Sequence, residues 1–146
     1  MFVTIVHHAE AVNALDDAQR PLSARGRAQA EGLAQAASLH GVKPALIWHS
    51  GKLRARQTAE AFWRVCNPFA DVRMVKGLRP EDAPELARNL IDFEERDLLL
   101  VSHMPLVPAL ARTLMPGIEA FPVNGLVMFE RVERRYLERW RAVPSV

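Results

Sequence analysis

The chain has a single cysteine, Cys66, so no disulfide can close within it and no cysteine-rich metal cage can form. Long apolar runs are missing as well: none approaches the roughly 20 residues that a membrane-spanning helix requires. Nor is there an excess of one charge. Nineteen basic residues face seventeen acidic ones, a formal net charge of +2, which excludes the broad basic surface of a nucleic-acid-binding protein. Lysine is the scarcest charged residue, confined to Lys43, Lys52 and Lys76, so the basic side is mostly arginine, which suits forked contacts with phosphate or carboxylate. The apolar start, Phe2 to Val6, carries no basic leader and is too short for a signal peptide, so a reducing cytoplasm is the expected compartment.

What is present suffices for a proper core. With 146 residues, 49% of them hydrophobic, the chain fits one domain spanning residues 1–146. Phe2 to Val6 reads as a short buried strand, followed by a polar segment from Asn13 to Arg20. Ser23 fits the N-cap of a helix with Ala30, Leu33, Ala34 and Ala37 on one face and Gly41 as its stop. Ala45 to Trp48 reads as a second strand; His49, Ser50 and Gly51 then turn the chain into a helix with Leu53, Ala61, Phe62 and Val65 expected inward. A strand is expected at Val72 to Val75, a helix at Ala83 to Phe93 and a strand at Leu98 to Val101. Pro105 fits a first helical turn, after which Val107, Leu110, Ala111 and Leu114 recur at helical spacing. Leu126 to Val132 and Tyr136 to Trp140 read as closing strands around a turn at Glu133 to Arg135. Strands alternating with helices imply an α/β three-layer sandwich, a mainly parallel central sheet flanked by helices.

In open sheets of that kind, ligands bind beyond the carboxyl ends of the strands. Three expected strands end in polar residues, His7 with His8, His49 with Ser50, and Ser102 with His103, so four of the five histidines are expected at one crevice. His8 is the candidate nucleophile, because a neutral imidazole attacks phosphorus and a phosphohistidine divides one hard displacement into two easier ones. A phosphoryl group spreads two negative charges over three oxygens and needs fixed positive donors. Arg54 is one, in the first turn of the helix after Ser50, where free N–H groups and the helix dipole also favour an anion. His103, at another strand-to-helix junction, is a second. Each residue alone has a plainer reading: a partly buried strand end, or a surface arginine within "KLRARQ", where Lys52, Arg56 and Glu60 share a solvated face. Their convergence is what points to a site.

The same segments resemble the histidine phosphatase superfamily, which includes the phosphoglycerate mutase relatives, and within it the short bacterial SixA-like phosphohistidine phosphatases. "VHHAEA" stands where the family has Arg-His-Gly or Arg-His-Ala, "RPLSARG" leads into the first helix, and "HSGKLRARQTAEAF" and "LLLVSHMPLV" match two further segments. The resemblance implies a phosphoglycerate mutase-like fold and a metal-independent phosphatase without a cofactor. Its substrate would be a phosphohistidine protein or a small activated phosphate ester or phosphoramidate, with neither nucleic acid nor membrane as a partner. It assigns the nucleophile to His8, catalytic pocket roles to Arg54 and His103, and further phosphate contacts to His7, Ser50 and Arg20. Glu81 and Asp82, with Glu85 nearby, are candidates by position for a general acid. A leaving imidazole needs less help from an acid than an alkoxide does, which favours phosphohistidine.

One position departs from the pattern: His7 stands where the resemblance implies arginine. A histidine offers fewer donors and a charge that depends on pH; losing a charge-assisted hydrogen bond to the phosphoryl group costs roughly 1.5 to 3 kcal/mol. A bound dianion favours protonated His7 whereas His8 must be neutral to attack, so a bell-shaped pH profile with an acidic optimum is expected. His49, where the family commonly has a small hydroxyl residue, is a candidate compensating donor. Two other readings remain open at this point. One is a phosphoryl-binding module that has lost turnover through His7; the other is a transition-metal site built from His7, His8, His49 and His103, which Arg54 in the same crevice would oppose.

Overall fold

The computed structural model describes residues 1–146. Its elements are β1 (Phe2–His7), α1 (Ala24–Leu39), β2 (Leu46–His49), α2 (Leu53–Cys66), β3 (Asp71–Met74), α3 (Pro84–Phe93), β4 (Leu98–Ser102), α4 (Leu106–Leu114), β5 (Leu126–Val132) and β6 (Arg135–Ala142). The strands form one sheet in the order β3-β2-β4-β1-β5-β6, with the first four parallel and the last two antiparallel. The α/β sandwich with a mainly parallel sheet is therefore the observed architecture.

Strand side chains alternate between faces, and this divides the core in two. Val3, Ile5, Leu46, Trp48, Leu98 and Leu100 face α3 and α4, where Ile91, Val107, Leu110 and Leu114 meet them. Val6, Ile47, Leu99 and Val101 face the other way, against Leu33, Ala34 and Ala37 of α1 and Ala55, Ala59 and Phe62 of α2. Because β2, β4 and β1 are covered on both sides, they read as continuous apolar runs.

The helix ends follow their sequence signals. Ser23 caps α1, its hydroxyl accepting from the Gly26 N–H, and Gly41 adopts φ +91° beyond the other end. Gly26 has a second role: a Cβ there would lie 1.9 Å from the Glu10 carbonyl oxygen, so only glycine lets α1 abut the segment leaving β1.

Two expectations are corrected. On α2, Arg54 and Thr58 join the buried face, whereas Leu53 and Val65, expected inward, are only half-buried. The final turn is also tighter than expected: Glu133 adopts φ +61°, so two residues reverse the chain and Arg135 already belongs to β6. The polar segment after β1 also contains a single 3-10 turn, Asp17–Gln19, that no periodicity announced.

Candidate active site

β1 and β4 lie side by side at the centre of the sheet, with His7 in register with Ser102. The next residues, His8 and His103, therefore emerge together, their ring centroids 4.9 Å apart, and the His7 ring lies 4.6 Å from that of His8. The structure thus brings three of the four histidines together. His49 is the exception: its Nδ1 accepts from the Gly51 N–H, and the charges acting on it are Arg56 and Glu60 of α2. It is not placed as a compensating donor.

Hydrogen bonds fix the tautomers. His8 Nδ1 lies 2.7 Å from the Ala9 carbonyl, which can only accept, so Nδ1 carries the proton and the Nε2 lone pair is free. His7 is the reverse, because its Nδ1 accepts from the Asn124 N–H at 2.7 Å and its proton sits on Nε2. Asn124, in the left-handed region at φ +56°, also donates through its side chain to the His8 carbonyl at 2.8 Å. His103 is buried; its Nε2 lies 2.6 Å from the Ser50 hydroxyl, and its Nδ1 has no partner.

Arg54 is 4% exposed, and its Nη1 donates to the Asp17 carbonyl at 2.9 Å, while its Nε is buried without a partner. Thr58, one turn further along α2, accepts from the Ala9 N–H and donates to the Arg54 carbonyl, tying α2 to the His8 segment. The Asp17 carboxylate gathers three cations: Lys52 at 2.5 Å, Arg20 at 3.3 Å and Arg54 at 3.5 Å. Hydrogen bonding from Lys52, with Arg54 and Arg20 adding to it, holds Asp17 far below the usual carboxylate range. Lys52, assigned by the sequence to a solvated face, is turned inward instead, with its side chain 13% exposed. That placement was missed because helical spacing alone cannot foresee the 3-10 turn that receives it.

Burial, then the neighbouring His8 and Arg54, pushes His7 down to about 3. Burial is also the main cause that lowers His8 to about 4, and it lowers His103 further still. All three imidazoles are neutral at neutral pH. A protonated His7 would have to give up its bond from Asn124, so the acid-side optimum expected from a charged His7 is not supported by this arrangement.

The same shifts carry a stability prediction. A histidine whose pKa is depressed by folding binds its proton more readily when unfolded, so its contribution is complete above about pH 6.5 and is lost as the pH falls from there toward the folded values. Each imidazole adds a slope of up to about 1.4 kcal/mol per pH unit. Urea unfolding at a series of pH values is expected to show stability falling steeply between about pH 6.5 and 4.

Of the proposed acids, Asp82 lines a cavity together with Ser50. Asp82 accepts from the Arg79 N–H in its own loop, and Glu81 is exposed without a hydrogen bond or ion pair. The carboxylate whose charge reaches His8 is Asp17. No three His, Cys, Asp or Glu side chains are grouped so as to hold a metal ion, which removes the support for the four-histidine site. No helix is long and apolar enough to cross a membrane.

The model for the histidine phosphatase superfamily, branch 1, matches residues 3–88, from β1 into α3, more than half of the chain. The chain belongs to that superfamily. This histidine phosphatase superfamily member also superposes on a protein assigned as the phosphohistidine phosphatase SixA of Agrobacterium tumefaciens, with a TM-score of 0.87 at 26% identity over 98% of this chain and 97% of that one. A SixA protein histidine phosphatase complexed with tungstate gives 0.88 at 26% identity, covering 99% and 97%. An Entamoeba histolytica phosphoserine phosphatase, at 14% identity and a TM-score of 0.70 over 96% and 95%, shares the fold. Comparison with curated protein sequences finds no match. The family match ends before His103, whose place in the site rests on the sheet register.

Proposed function

We propose that this protein is a metal-independent phosphatase that works through a phosphohistidine at His8, on phosphohistidine or a similarly activated phosphate. The observation that carries the reading is the fixed tautomer of His8, with a free Nε2 lone pair among neutral imidazoles and beside a buried guanidinium. In the first step the Nε2 lone pair forms a bond to phosphorus, and the bond to the leaving group breaks with its electron pair. In the second, water attacks phosphorus, His8 departs as the neutral base and inorganic phosphate is released.

Arg54 supplies permanent charge to the phosphoryl oxygens, and its unpartnered Nε is a donor in reserve. His7 adds the Nε2 proton. With the Ser50 hydroxyl donating to His103 Nε2, His103 offers Nδ1–H to the same group. Arg20, whose charge acts on both His8 and Arg54, completes the positive rim.

The substrate class follows from the state of the carboxylates. Asp17 is ionised and paired, so it has no proton to give at neutral pH, and Asp82 is engaged by the Arg79 N–H in its own loop. A leaving group that needs little protonation suits such a site; an imidazole or an aryl oxide qualifies, an alkoxide does not. Likeness to SixA structures, one of them holding the tetrahedral oxyanion tungstate, supports the same class.

The test is hydrolysis of a phosphohistidine peptide against phosphoserine, with the enzyme quenched in alkali and mapped by mass spectrometry. Faster turnover of the phosphohistidine peptide and a phosphate on His8 are expected; faster release from phosphoserine would refute the substrate class. The neutral His7 favours one competing reading, a module that binds phosphoryl groups without turnover. Tight phosphate binding with neither hydrolysis nor a labelled His8 would establish it.

A further inference from the structure

A phosphoryl group brings two negative charges to this crevice, and its lining is poorly supplied to meet them. The imidazoles of His7, His8 and His103 are neutral, which leaves Arg54 as the only buried cation. We infer that Lys52 is the second phosphoryl-binding cation of the site, and that Asp17 holds its ammonium in place until an oxyanion arrives. The inference rests on the phosphoryl-transfer reading and adds a ligand to it.

Three observations converge. First, a lysine at the mouth of a helix normally extends into water, yet this side chain is only 13% exposed and Nζ ends 2.5 Å from Asp17 Oδ2. Second, Arg54 Nη2 reaches that same oxygen at 3.5 Å, so two cations, one at the N-cap of α2 and one in its first turn, aim at one anionic atom, as they would at a phosphoryl oxygen. Arg20 holds the other carboxylate oxygen. Third, the field of Lys52 reaches His103, and that of Asp17 reaches His8, which places the pair beside the histidines and not on the outer face of α2.

Without an anion between them, Lys52 and Arg54 would repel each other. The Asp17 carboxylate keeps them together, and it stands on a short turn with its side chain 56% exposed, free to release them to a stronger dianion. Lys52 thus provides the permanent charge that the end of β1 lacks, since His7 contributes only a neutral N–H.

Calorimetric titration with inorganic phosphate at about pH 8, where the ligand is a dianion, tests this without requiring turnover. Lys52→Met is expected to weaken binding roughly 10-fold or more, and Lys52→Arg to restore most of it. Arg56→Met removes an exposed cation from the same helix and is expected to change binding by less than about twofold. In a His7→Arg background, where β1 already ends in a charge, Lys52→Met is expected to cost less than about threefold.

A loss of under about twofold on Lys52→Met, or an equal loss in both backgrounds, would overturn the inference. A melting curve for each variant separates lost binding from lost folding, and Lys52→Arg carries the test if the methionine variant does not fold. The outcome is also separate from that of the proposed function. If His8 is never phosphorylated but the binding pattern holds, Lys52 stands as an oxyanion ligand and only the phosphatase reading fails.

Discussion

Alanine at position 8 is expected to lower turnover of an aryl phosphate at least about a thousandfold, while inorganic phosphate still binds. Of the three imidazoles in the crevice, His8 is the one whose unprotonated nitrogen is not engaged by a hydrogen bond, and it lies beside a permanent cation; without it no covalent intermediate forms. The fold should survive the change. The side chain of His8 bonds only to the adjacent Ala9 carbonyl, whereas its backbone is held independently, its N–H by the Ser102 carbonyl and its carbonyl by Asn124. Removing one half-buried imidazole should also flatten the acid dependence of stability by up to about 1.4 kcal/mol per pH unit. Unchanged turnover in the alanine variant would refute the assignment of the nucleophile, and matched melting curves for the two proteins would secure that conclusion.

Arg54→Met is expected to reduce kcat/KM by roughly 100- to 1,000-fold, which corresponds to losing two charge-assisted contacts to the phosphoryl group. Arg54→Lys should recover only a small part of this. Lysine keeps the charge, but it has one nitrogen where Arg54 uses Nη1 on the Asp17 carbonyl and keeps Nε for the ligand. Stability should move the other way or stay level, because methionine replaces a desolvated cation with an apolar side chain of similar length. Steady-state kinetics and thermal melts on the three proteins check both halves. A lysine variant as active as the parent would show that charge alone matters at this position.

How much of this was legible beforehand differs from element to element. The sheet was, because β1, β2 and β4 are apolar runs of strand length that stop at histidine or serine, and the stops themselves marked the crevice. His8, Arg54 and His103 stood out as candidates because each sits at a strand end or at the start of a helix. His49 ends a strand too, yet alternation along β2 sends its side chain toward α2, and a count of residues does not decide which face a strand's last residue takes. Lys52 and Asp17 were hidden for another reason. Their contact spans a loop without periodicity, and the 3-10 turn that brings Asp17 to α2 is fixed by tertiary bonds from Arg54 and Lys52, along with the Asp16 cap. The tautomers of His7 and His8 were likewise set by groups distant or silent in sequence, the backbone of Asn124 and the carbonyl of Ala9.

The crevice contains Arg54, Lys52 and Arg20 against Asp17, a surplus of two positive charges, and the formal net charge of the whole chain is also +2. The remainder of the molecule is therefore electrically balanced, and its excess charge is gathered at the mouth through which, on the proposed function, a phosphorylated molecule enters. Such a one-ended field acts before contact: it orients an approaching anion toward the histidines and raises the rate of productive encounter, an advantage that fades as salt shortens the reach of the field to about 10 Å near 0.1 M ionic strength.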